Sequence, residues 1–151
     1  MSHGAAGGFA DVVEPENVIK VFPTLKPLFE AVLKHEAYGV IATGTSAGDY
    51  ADFGEVEYAL TENGYSDMPE EKVTELAKSW ATAYVELQNE FQRLTGATLA
   101  LNYLDEDNLD SYAGVRGTFW SISGHQQYIP SVRQAVADGL EIDRCFFAVY
   151  G

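Results

Sequence analysis

Between residues 68 and 95 one pattern leaves this chain little freedom. Val73, Leu76, Ala77, Trp80, Ala83, Tyr84, Leu87, Phe91 and Leu94 recur at intervals of three and four. That is the period of a helix with one buried stripe. Such a helix, over about 68–95, is roughly 40 Å long and crosses a whole domain. Glu71, Glu75, Lys78, Thr82, Glu86 and Arg93 fall on its other face, an ordinary solvated surface. Asp67 and Glu70 have the spacing of a capping box, Pro69 fits the first turn, and Gly96 ends the run. A stripe this aromatic favours packing on a sheet over a coiled coil.

The strands of that sheet are sought in the remaining apolar runs. Thr98–Leu104 puts Leu99, Leu101 and Tyr103 on one face; Val115–Ser123 is a second strand. Residues 142–150 are apolar on both faces, which suits a central strand. Tyr38–Thr43 reads as a short buried strand, and Glu55–Thr61 alternates Val56, Tyr58 and Leu60 as a half-exposed strand would. Two shorter helices are expected. One opens at Pro23 with Thr24 as its cap and carries Leu25, Leu28, Phe29, Val32 and Leu33; the other starts at Ile129-Pro130 with Val132, Ala135 and Val136 inward and stops at Gly139. The order is then α-β-β-α-β-β-α-β. The fold class is α+β: a mostly antiparallel sheet of four to five strands, one long amphipathic helix across one face, and two shorter helices. Residues 1–14, rich in Gly and Ala, read as a flexible N-terminal arm, and 15–151 as a single α+β domain.

The 151 residues suffice for one self-supporting core, and 46% hydrophobic content with 8 Phe, 9 Tyr and 2 Trp excludes intrinsic disorder. A single cysteine, Cys145, permits neither an internal disulfide nor a cysteine-based zinc cluster. No apolar run approaches a membrane span, and Met1–Phe9 has neither the basic nor the apolar part of a secretory signal. The expected location is the cytoplasm, a host's if the protein is viral.

The net charge of −14 comes from 9 basic and 23 acidic residues. Direct nucleic-acid binding depends on Lys and Arg, so it is not expected, and neither is an anionic membrane surface. The acids are unevenly placed. Residues 37–67 contain Asp49, Asp52, Glu55, Glu57, Glu62 and Asp67 with no base, and 97–112 contain Asp105, Glu106, Asp107 and Asp110 with no base. Residues 113–151 balance three acids with Arg116, Arg133 and Arg144. Solubility does not require that segregation.

Motifs with catalytic or ligand-binding precedent are weak. Gly44-Thr-Ser-Ala-Gly48 follows an expected strand as phosphate loops do, but lacks their lysine and precedes Asp49 and Asp52. Asp105, Asp107 and Asp110 lack the Gly and Glu of a calcium loop. Ser121, Ser123 and His125 lie close in sequence without a nucleophile-elbow pattern; His125 is the first candidate for a general base if the protein is an enzyme. His35 reads as a cation at a helix end, and Cys145 as a buried inert thiol. No catalytic residue, metal or cofactor is assigned.

Three functions follow from these features. The first is a non-enzymatic acidic module of the inhibitor or anti-defence type. It would engage a basic protein, such as one that binds nucleic acid, through Asp49, Asp52, Glu55, Glu57, Asp105, Glu106, Asp107 and Asp110. The second is a small enzyme or ligand-binding domain built on the His125 loop. The third is a structural subunit of a virion or other assembly, with the arm ordered by neighbours.

Overall fold

A computed structural model of the chain describes residues 5–43, 45, 47–104, 109–112, 117–122 and 128–150. Five strands form one antiparallel sheet: β1 (Ala5–Val12), β2 (Leu99–Leu104), β3 (Leu109–Tyr112), β4 (Gly117–Ile122) and β5 (Asp143–Tyr150). Their spatial order is β2-β4-β1-β5-β3. Helices α1 (Pro15–Val21), α2 (Lys26–Leu33), α3 (Tyr38–Ile41), α4 (Phe53–Asn63) and α5 (Glu70–Thr95) fill the connection from β1 to β2; α6 (Pro130–Ala137) joins β4 to β5. The fold is α+β, with the long helix where the apolar period places it.

Helix α5 buries Val73, Leu76, Ala77, Trp80, Tyr84, Leu87 and Phe91, and Gly96 closes it in the left-handed region at φ 75° with its N–H on the Gln92 carbonyl. Its start differs in one respect: Pro69 is the N-cap, and no side chain caps the first turn, so the Asp67 capping box does not form. Around the stripe lies an aromatic cluster. Trp80 stacks on Tyr84 (5.8 Å, 14°) and Tyr38 (6.0 Å, 25°), while Trp120 meets Phe29 edge-on (5.3 Å). The Trp80 indole N–H, fully buried, donates to the Tyr50 carbonyl at 3.0 Å.

Five sequence expectations are corrected. The arm is largely strand: Ala5–Val12 is β1, paired over its length with β5 and at Asp11 and Val12 with β4. Tyr38–Ile41 is one helical turn, stabilised by its neighbours and not by strand pairing. Residues 53–63 are helical because the Asp52 carboxylate accepts the Gly54 and Glu55 N–H groups and starts α4 there. Val56, Ala59 and Leu60 then share the buried face, and Tyr58 turns outward. Thr24 caps nothing; a 3₁₀ turn, Pro23–Leu25, leads into α2 with Leu25 at the N-cap. Leu109 and Asp110, expected in an acidic loop, begin β3. Among the described residues the short α-helices therefore number five, not two, with two segments expected as strands among them.

The outer edge of β2 is closed by α5. Tyr84 Oη accepts the Leu101 N–H at 2.8 Å, and Gln88, one turn further, donates to the Leu99 carbonyl at 2.8 Å. A helix thus satisfies backbone groups that a bare edge would offer to another chain. Burial, offset in part by that hydrogen bond, pushes the Tyr84 hydroxyl up to about 12. Tyr84→Phe keeps the ring and strands the Leu101 N–H, so we expect a loss of about 1–3 kcal/mol in urea denaturation. Because the raised hydroxyl ionises later in the folded state, its contribution is complete below pH 10 and is lost as pH rises towards 12. Tyr50 and Tyr65 shift the same way, so the reading is the difference between wild type and variant across that window.

Candidate functional site: the α4 face and an arginine-lined recess

The acids of residues 49–57 are drawn together, and most of them have work within the fold. Asp49 Oδ1 accepts the Ala51 N–H at 2.9 Å; Glu55 Oε2 accepts the Asp49 N–H at 2.5 Å. Gly48, at φ 73°, lies so close to Glu55 that a Cβ there would stand 2.9 Å from its carboxylate. Asp52 is the α4 cap, and Glu57 accepts from the Thr74 hydroxyl of α5. These carboxylates fasten the turn before α4 and the contact between α4 and α5. Asp105, Glu106 and Asp107 lie outside the described residues, as does the Asp110 side chain.

The solvent face of α4 combines charge with an aromatic ring. Glu55, Tyr58 and Glu62 follow one another at three and four residues and are all exposed, Tyr58 by 69%. Phe53, 46% exposed, holds the Lys78 ammonium 5.3 Å over its ring. From Asp49 to Lys78 the chain carries nine acids and two lysines, so α4 and the first turns of α5 present a strongly negative surface. The period-two reading of 55–61 concealed this face by assigning Tyr58 to the core side. Asp52 and Glu55, three residues apart in the manner of a capping box, were the available signal.

Other sequence candidates resolve structurally. Thr45 is buried and its hydroxyl donates to the Val40 carbonyl, while Tyr50 donates to the Thr45 carbonyl. Gly44 and Ser46 lie outside the described residues, as do Ser123 and His125, so the His125 loop is not placed. Ser121 is buried on β4, its hydroxyl accepting from the Asn102 amide at 2.5 Å. His35 is not a helix-end cation: its Nδ1 accepts the Ala37 N–H, its Nε2 meets the Ser79 hydroxyl, each at 3.0 Å, and burial lowers its pKa against the opposing charge of Glu36. That hydrogen bonding is that of a neutral imidazole. Cys145 is buried, its thiol pushed up by burial and then by Asp143. The assembly reading rested on an arm ordered by neighbours, but Ala5–Val12 is ordered by its own sheet.

A second feature lies between α6 and the β1–β5 pair. Val136, expected inward, is 46% exposed and with Ile142 forms the apolar wall of a recess of about 290 Å³. Asp11, Arg133 and Arg144 complete it. Asp11 and Arg144 are register partners across β1 and β5, with Arg144 Nε 3.8 Å from Asp11 Oδ1; Asp11 is only 2% exposed. Among the described residues, no three His, Cys, Asp or Glu side chains gather as a metal-ligand group, and no helix is long and apolar enough to cross a membrane. No family model matches the chain, and neither the curated proteins nor the solved structures contain a match.

Proposed function

We propose that the chain is a non-enzymatic acidic binding module whose α4 face engages a basic protein partner. The observation that carries this reading is Tyr58, 69% exposed between Glu55 and Glu62 on a helix without a single base. An exposed tyrosine ringed by charge has the composition of an interface anchor: aromatic residues dominate binding energy, and surrounding carboxylates steer a cationic partner into register. The local acids support the same reading in a second way. Asp49, Asp52, Glu55 and Glu57 are held by hydrogen bonds, so their charge is presented in fixed geometry and not on a mobile tail. A lysine- and arginine-rich surface, such as a nucleic-acid-binding groove, is the matching chemistry, and occupation of that groove would make the module an inhibitor.

The test must avoid the acids that fasten the fold. Tyr58→Ala and Glu62→Gln alter exposed groups alone. After affinity capture and identification of the partner, Tyr58→Ala is expected to weaken its binding by at least about tenfold, in the range of an interface hot spot. Glu62→Gln should chiefly slow association and flatten the salt dependence. Melting temperatures should remain near wild type. Affinity that ignores both salt and Tyr58→Ala would refute the proposal.

A further inference from the structure

We infer that the recess between α6 and the β1–β5 pair binds a small organic monoanion, a carboxylate head on a short apolar body. The inference is independent of the α4 face and rests on how charge is distributed within the recess. Of the nine basic residues in a chain of net charge −14, Arg133 and Arg144 line this one concavity. Arg144 Nε lies 3.8 Å from Asp11 Oδ1, a carboxylate buried to 2% exposure and opposite it in the strand register. Arg133 stands on α6, exposed, and makes no ion pair among the described residues. Among the lining residues two guanidinium groups stand beside one carboxylate, a set suited to one anionic group. A guanidinium fork suits a carboxylate by geometry as well as by charge.

The walls set the rest of the ligand. Val136 is one of four large hydrophobic residues left exposed among those described, and Ile142 lines the recess with it. A volume of about 290 Å³ lies at the small end of ligand pockets, so the apolar part is short. Asp138, Glu141 and Asp143 are exposed in the adjoining segment and disfavour a dianionic or polymeric ligand. A phosphate or a nucleic-acid strand therefore fits less well than a monocarboxylate.

Octanoate serves as the probe, with octanamide and inorganic phosphate as comparisons, each titrated into the isotope-labelled full chain and followed by amide chemical shifts. The expected result is saturable octanoate binding that shifts Arg133, Val136, Ile142 and Arg144. Arg133→Gln should weaken it about tenfold or more, as loss of a charge-assisted hydrogen-bonding group does. Val136→Asp, which changes the wall at an exposed position, should weaken it as well. Octanamide and phosphate should each bind at least about tenfold less tightly. Absence of saturable octanoate binding overturns the inference, and so does equal affinity for octanamide, for phosphate, or by a folded Arg133→Gln protein.

Discussion

Deleting residues 1–12 is expected to abolish cooperative unfolding. Strand β1 lies between β4 and β5, and no direct pairing links those two strands. Without β1 the β5–β3 pair is cut off from the β4–β2 pair, and each remnant is a two-strand ribbon, marginal in water. Asp11 leaves as well, so Arg144 loses its carboxylate. Helix α5 would retain some helical signal in circular dichroism, but a sharp thermal transition should be missing. A truncated chain melting like the full one would show that β1 contributes nothing to the sheet's stability.

Trp80→Ala should produce the largest effect of any single substitution. The side chain is completely buried, stacked between Tyr84 and Tyr38 and met edge-on by His35 at 5.8 Å. It also ties α5 to the turn before α4 through its hydrogen bond to the Tyr50 carbonyl. Truncating a buried Trp costs about 3–5 kcal/mol through lost contacts and the cavity left behind. Against a total stability of about 5–15 kcal/mol for typical domains, that is a large share. Trp80→Phe should cost less, since it keeps a ring but leaves the Tyr50 carbonyl without the indole donor. Urea denaturation of both variants gives the comparison: a lower midpoint with an unchanged slope is a true loss of stability. A Trp80→Ala loss below about 1 kcal/mol would contradict the burial described for this residue.

What could be read from the sequence follows from how many signals agreed at each place. In α5 nine apolar positions keep one period and Gly96 stops them, so length and buried face were both legible. Residues 55–61 satisfy two periods together. Val56, Tyr58 and Leu60 alternate as in a strand, while Val56, Ala59 and Leu60 lie on one helical face. The Asp52 cap decides between them, a local hydrogen bond that hydrophobic pattern does not encode. Sheet edges and centres were harder still, because pairing partners lie far apart in sequence. The doubly apolar pattern of 142–150 does mark an interior strand. The charge map was legible from counting, whereas the role of Asp52 as the α4 cap and the shared exposed face of Tyr58 and Glu62 were not. The recess was not legible, since Asp11 and Arg144 meet only through strand register.

The pairing of β1 with β5 also sets a schedule. Ala5 is matched with Tyr150, so β1, made on the ribosome before β5, must wait for it. At about 5–20 residues per second that delay is roughly 7–29 seconds, far longer than a hairpin needs to close. Non-local pairing of this kind slows folding and leaves an unpaired strand exposed to other chains. The sequence of β1, Ala-Ala-Gly-Gly-Phe-Ala-Asp-Val, holds two glycines, an acid and only two large apolar residues. Such a segment is a poor seed for intermolecular sheet. The blandness that makes residues 5–12 resemble an arm is thus what lets them wait, and replacing Gly7 and Gly8 by valine should increase aggregation during refolding.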